Sequence, residues 1–153
     1  MALQPIDFEA LPTEKLLRWS MDQYGLEAGL ASSFGLEDMV LIDMIAKLDG
    51  PLTIFTLDTG RLHEETYDLM ERVRSKYGLK IKTYFPNQDK IESLVRGKGF
   101  FSFRESVDNR KECCYIRKVE PLNRALGELK AWITGLRRSQ GVTRTNIAKV
   151  MED

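Results

Sequence analysis

The chain has 153 residues, 42% hydrophobic and 30% charged, with 23 basic and 23 acidic side chains and a formal net charge of zero. That length holds one domain with a sizeable core. No apolar run nears the ~20 residues of a membrane-spanning helix, and Met1–Asp7 lack the basic start and apolar stretch of a signal peptide, so neither a span nor an exported form is expected. The zero hides an asymmetry: residues 1–95 carry 10 Lys and Arg against 16 Asp and Glu (net −6), and residues 96–153 carry 13 against 7 (net +6). A local basic excess suggests an anionic ligand. Nucleic acid is the rival, but there is no long basic run and no nucleic-acid motif.

Helix and strand patterns alternate along the chain. Residues 13–24 read as a helix with Thr13 as its cap, Leu17, Met21 and Tyr24 on one face and Gly25 as its stop. Residues 28–33 form a short strand. Leu36, Met39, Val40, Ile42, Met44 and Ile45 suit a helix largely covered by protein. Residues 52–57 are a β-rich run of strand length, as expected for a strand buried on both faces. Tyr67, Met70, Val73 and Tyr77 recur at helical spacing between His63 and Gly78, and His63, the lone histidine, is expected at the surface. Leu79, Ile81, Thr83 and Phe85 alternate as a third strand, and Asn87 caps a short helix ending near Gly97. Gly97–Lys111, with Phe100, Phe101 and Phe103, lacks a period and reads as a long loop or lid. A helix around the cysteines follows, interrupted by Pro121, and residues 130–134 are a fourth strand. This alternation predicts an α/β protein with a doubly wound parallel sheet.

Cys113 and Cys114 are the only cysteines. Adjacent Cα atoms lie ~3.8 Å apart, short of the ~4.4–6.8 Å that a disulfide usually spans. Arg110, Lys111, Arg117 and Lys118 beside them favour thiolates, the form that binds metal or attacks an electrophile. Two buried small hydrophobes are the alternative. Unpaired cysteines point to a reducing cytoplasm.

In open α/β sheets ligands sit at the carboxyl ends of the strands. The first such end carries Ser32, Ser33, Phe34 and Gly35 before Leu36-Glu37-Asp38, with hydroxyls, a glycine and a helix N-terminus suited to a phosphate-like anion, or else a plain Ser-capped helix. The second carries Asp58, Thr59 and Gly60, which also fit an ordinary strand-to-helix turn. The fourth carries Gly135, Arg137 and Arg138, with Arg144 beyond. A glycine turn leading to paired arginines suits a bidentate clamp on phosphate or sulfate, or a solvated surface.

Taken in order, Ser32-Ser33-Phe34-Gly35-x-Glu37-Asp38, Leu57-Asp58-Thr59-Gly60-Arg61-Leu62, Cys113-Cys114-x-x-Arg117-Lys118-Val119-x-Pro121-Leu122 and Trp132-Ile133-Thr134-Gly135-Leu136-Arg137-Arg138-x-Gln140 closely resemble the assimilatory sulfonucleotide reductases. That family reduces adenylyl sulfate (APS) or its 3′-phosphorylated form (PAPS) to sulfite, with AMP or PAP as the other product and thioredoxin as reductant. The resemblance implies the adenine-nucleotide α-hydrolase (PP-loop type) fold. The Cys-Cys pair resembles the branch that mostly uses APS and holds a four-iron four-sulfur (4Fe–4S) cluster. It implies Cys113 and Cys114 as two cluster ligands and Lys118 near both the cluster and the substrate's anionic end. Ser33, Phe34 and Gly35 with Asp58, Thr59 and Gly60 would line the nucleotide cleft, with Ser32 beside them. Arg137, Arg138 and Arg144 are candidate contacts of the phosphosulfate. The family's later Cys-x-x-Cys and its nucleophile, a cysteine in a Glu-Cys-Gly tail, are absent from this sequence. Residues 1–153 are therefore expected to be a single reductase domain lacking that C-terminal part, with no catalytic cysteine of its own. A homo-oligomer would add only two cysteines per partner. Two rivals stand beside the reductase: an adenine-nucleotide-binding module without reductase activity, and an ATP pyrophosphatase or adenylyltransferase of the same fold. The Ser-Gly-Gly-x-Asp-Ser loop typical of the latter is not found here.

Overall fold

The computed structural model describes residues 6–140 and 147–152. Its elements follow in chain order as α1 (Thr13–Tyr24), β1 (Ala28–Ala31), α2 (Leu36–Leu48), β2 (Thr53–Leu57), α3 (Glu64–Tyr77), β3 (Ile81–Tyr84), α4 (Gln88–Lys98), α5 (Val107–Cys114), a π-helical segment (Tyr115–Val119), α6 (Glu120–Leu126) and β4 (Ala131–Thr134). The four strands form one parallel sheet in the order β3-β2-β1-β4. The chain steps outward from β1 to β3, then returns across the sheet to place β4 on the other side of β1. Crossover helices make parallel pairing the accessible arrangement. The reversal of direction lies between β1 and β4, and that is where a doubly wound sheet opens a crevice.

Alternation along the central strands divides the core. Leu30 and Ile54 pack with Leu17 and Met21 of α1, Ile42 and Ile45 of α2, and Val73 of α3. On the opposite face Gly29 is crowded by Leu129 and Phe55, where a Cβ would come within 2.5 Å of Leu129 Cδ1, and α6 packs over β2 and β3. Ile54, Phe55 and Thr56 are buried in succession, as expected of a strand covered on both sides.

Four expectations are corrected in detail. Thr13 is the first helical residue, after Pro12, and no side chain caps α1. The helix α2 is covered on one side only, since Leu36 and Val40 are exposed. The stretch from Gly97 to Lys111 is not a long irregular loop. The helix α4 runs to Lys98, a 3-10 turn spans Ser102–Arg104, and α5 starts at Val107 because the Ser106 hydroxyl accepts the Asn109 N–H. Nor does Pro121 interrupt the cysteine helix. Proline lacks an N–H and crowds the carbonyl four residues back. The turn before it widens, with the Glu120 N–H reaching the Tyr115 carbonyl, and the backbone stays helical from α5 into α6.

Candidate functional site

The loop after β1 is built around a buried carboxylate. The Ser32 N–H continues the ladder onto the Phe55 carbonyl at 2.9 Å, and its hydroxyl then accepts the Phe34 N–H at 3.0 Å. Phe34 adopts φ 61°, a left-handed conformation that costs a non-glycine residue ~1–2 kcal/mol. Its ring is buried in the core, and a fully buried Phe side chain contributes ~1.5–3 kcal/mol, enough to offset that strain. The Asp38 Oδ2, in the first turn of α2, accepts both the Ser33 N–H at 2.7 Å and the Ser33 hydroxyl at 3.0 Å. Gly35 precedes α2 and no side chain caps that helix.

The loop after β2 is closed by its own side chains. The Gly60 N–H donates to Asp58 Oδ1 at 2.7 Å and the Arg61 N–H to the Thr59 hydroxyl at 3.2 Å. The Tyr67 hydroxyl reaches both Asp58 oxygens, at 3.0 and 2.9 Å. Burial of that hydroxyl, then the Asp58 hydrogen bond and charge, push the Tyr67 proton affinity up, although the residue as a whole is 40% exposed. Tyr67 therefore serves as a proton donor here, and Asp58 is committed to the loop. Arg61 turns away from the sheet. It donates to the Phe100 carbonyl, and its guanidinium lies 5.5 and 4.9 Å from the Phe101 and Phe103 ring centres, with Arg104 stacked on the same two rings.

At the end of β4, Gly135 lies against the first turn of α2. A Cβ there would overlap Asp38 Oδ1, so glycine is required for this close approach. Arg137 Nε donates to Glu37 Oε1 at 2.7 Å. Arg138 points elsewhere, to Glu9 Oε2 at 2.6 Å and the Ile147 carbonyl at 2.8 Å.

These three strand ends enclose a cleft of about 520 Å³, within the ~300–1,000 Å³ range of small-molecule sites. Ser32, Ser33, Gly35, Thr59, Lys118 and Gly135 all line it. Apolar side chains, Leu62, Met70, Leu122, Trp132 and Leu136, cover the remaining walls, and Glu37 and Asp38 reach its edge. Phe34, Asp58 and Gly60 do not line it; they shape the loops that do. Arg137 stands at its rim through Glu37, Arg138 faces the N-terminal segment, and Arg144 lies outside the described residues. Two residues outside the sequence candidates for the cleft also shape it: Asp38, and Arg117, whose Nη1 donates to the Thr59 carbonyl at 2.6 Å. The adjacency of Glu37 and Asp38 to the serine loop was a usable signal for the first. A second cavity of about 540 Å³ lies between α4 and the cysteine helix. No strand end reaches it, and its Lys98 is engaged by Asn109 and Glu112.

Cys113 is buried and Cys114 exposed. Successive helical positions diverge by about 100°, so the two thiols face different surroundings. Among the described residues no group of three or more His, Cys, Asp or Glu side chains is placed to hold a metal ion. A four-iron cluster needs four thiolates; these residues offer two and do not complete that site. No helix among the described residues is long and apolar enough to cross a membrane.

The family model for the phosphoadenosine phosphosulfate reductase domain matches residues 27–153. The chain is 49% identical over 123 residues to an adenosine 5′-phosphosulfate reductase of Burkholderia cepacia, aligning 80% of this chain with 49% of that protein. It is 42% identical over 153 residues to the adenosine 5′-phosphosulfate reductase of Pseudomonas aeruginosa strain LESB58, covering 95% of this chain and 56% of the relative. A crystal structure of phosphoadenylyl-sulfate reductase from Candida auris, in a phosphate complex, superposes with a TM-score of 0.73 at 29% identity, over 86% of this chain and 64% of that one. The chain thus spans about half the length of the curated bacterial relatives it matches.

Proposed function

Because the chain belongs to the phosphoadenosine phosphosulfate reductase domain family, we propose that its cleft binds the nucleotide of a sulfonucleotide reductase, with APS as the substrate and sulfite and AMP as the products. PAPS, which would yield PAP, is the close alternative. One observation carries this reading: the switch-point cleft between β1 and β4 is lined by Ser32, Ser33 and Lys118 together with the first turn of α2, a helix N-terminus that no side chain caps. Ser32, Ser33, Gly35, Thr59, Lys118 and Gly135 form the wall, and Phe34, Asp58 and Gly60 hold its loops. Arg137, released from Glu37, would add a charge at the rim; Arg138, if released from Glu9, and Arg144, outside the described residues, are proposed as further contacts of the same anion. The apolar side chains give the adenine a surface to rest on.

In the reaction a cysteine thiolate attacks the substrate sulfur, the S–O bond to AMP breaks, and an enzyme thiosulfonate forms. A thioredoxin-like dithiol then reduces the new S–S bond and releases sulfite. The residues of this chain bind and orient the nucleotide; none supplies that nucleophile, because neither cysteine lines the cleft. If a 4Fe–4S group is held, as the Cys-Cys pair suggests by its resemblance to the cluster-bearing branch, Cys113 and Cys114 would be two of its four ligands. We take residues 1–153 as one unit of such a reductase, working in a reducing cytoplasm, without nucleic acid and without a membrane.

Calorimetric titration tests the reading. AMP and APS are expected to bind more tightly than adenosine. A charge-assisted hydrogen bond contributes ~1.5–3 kcal/mol, so Lys118→Ala should weaken AMP by ~10-fold or more by that magnitude and leave adenosine nearly unchanged. Equal binding of AMP and adenosine by the unaltered chain would refute it.

A further inference from the structure

Among the described residues, one buried side-chain polar atom has no hydrogen-bond partner: Arg117 Nε. This arginine is 8% exposed and sits in the π-helical segment, four residues beyond the buried Cys113 and next to Lys118 at the cleft. A guanidinium carries five donors and a fixed charge, and enclosing it costs more than enclosing an apolar side chain of like volume. The bond it does make joins two layers of the fold. Nη1 donates to the Thr59 carbonyl at 2.6 Å across 58 residues of sequence, and Gly60, with φ 69°, lets the guanidinium in, since a Cβ there would come to 3.3 Å of Nη1.

The other bonds of the β2 loop do a different job. Those from Gly60 to Asp58 and from Arg61 to Thr59 are local and fix the shape of the turn. Tyr67 fixes it to α3. The Arg117 bond sets its place against the cysteine-bearing helix, and Thr59 and Lys118, on the two sides of that bond, both line the cleft. Resting on the nucleotide reading of the cleft, we propose that Arg117 is a positioning residue: it holds the Asp58–Gly60 loop at a set distance from the helix that carries Lys118, and so fixes the width of the cleft where the nucleotide anion lies.

The test combines amide hydrogen exchange by NMR with calorimetric titration of AMP, on the unaltered chain, Arg117→Met and Arg117→Lys. Methionine fills much of the same space without charge. It is expected to keep or raise the melting temperature while Gly60 and Arg61 amides exchange about tenfold faster, Ile54 and Phe55 amides stay unchanged, and AMP affinity falls about tenfold, the size of one lost charge-assisted bond. A lysine can still donate to the Thr59 carbonyl, so loop protection and affinity should be recovered together, wholly or in part. The inference is overturned if the methionine variant folds and keeps both, or if either variant loses one without the other. Should the methionine variant not fold, the lysine variant decides: joint movement of protection and affinity supports the role, and separation of the two overturns it. If the unaltered chain binds no AMP, the nucleotide reading fails, while Gly60 exchange in the methionine variant still reports whether Arg117 holds the loop.

Discussion

Asp38 ties the loops of the site together from inside. Its side chain is buried, and it joins three strand-end features: it accepts two hydrogen bonds from Ser33, it belongs to the first turn of α2, and it closes against Gly135. A carboxylate near a helix N-terminus is also favoured by the helix dipole. Asp38→Ala removes the acceptor and leaves the Ser33 donors unsatisfied, a loss of ~1–3 kcal/mol. Asp38→Asn keeps the shape and one acceptor oxygen and should lose less. Urea denaturation checks this, and an alanine variant with the midpoint of the unaltered chain would show that the carboxylate does not hold the loop. AMP affinity should fall with loop order in the alanine variant, because Ser33 lines the cleft.

At the scale of elements, Glu9 fastens three segments. Its Oε2 accepts from Arg138 at 2.6 Å and its Oε1 from the Lys149 N–H at 2.7 Å, while Lys149 Nζ donates to the Glu9 and Leu11 carbonyls at 2.7 and 2.9 Å. The Arg138 hydrogen bond, then that from the Lys149 backbone, holds the Glu9 carboxyl below the ordinary glutamate range. A depressed folded value means that the clasp contributes fully above the ordinary value and is lost as pH falls through the lowered one. The pair is exposed, and such pairs stabilise little, so the readout is the titration itself. By NMR, Glu9 should titrate lower in the unaltered chain than in Arg138→Ala; identical curves would show that the clasp is open in solution. This contact was not legible in the sequence, where Arg138 belonged with Arg137 at the strand end. The chain turns into a 3-10 helix at Arg138, and the two side chains part toward Glu37 and Glu9. The third strand and most helices were legible from their periods, and the second strand from its unbroken run of β-favouring residues. The segment before α5 was not, because Arg61, from the distant β2 loop, packs on Phe101 and Phe103 beside the neighbouring Arg104. The effect of Pro121 was misjudged for a local reason: a proline that would break an α-helix is accommodated by one widened turn.

For the whole molecule, the charge asymmetry becomes a spatial one. The acidic first part supplies the serine loop and the Asp58 loop, and the basic second part supplies Lys118 and Arg137 across the crevice. On the proposed reading these residues bind the nucleotide and do not supply the thiolate. Thiosulfonate formation needs a thiolate within reach of the substrate sulfur, and neither cysteine lines the cleft. Cys113 is enclosed, and Cys114 opens to solvent. A thiol reagent should accordingly modify Cys114 rapidly in the folded chain and Cys113 only on unfolding. Supplied with APS, thioredoxin and its reductant, the purified 153-residue chain is expected to release no sulfite while still binding AMP. The AMP titration keeps this from being a trivial negative, because a chain that failed to fold would show neither. Thioredoxin-dependent sulfite production, abolished by Cys114→Ser, would mean that this helix swings its exposed thiol into the cleft. The assignment of binding to these residues and of the nucleophile elsewhere would then have to be abandoned.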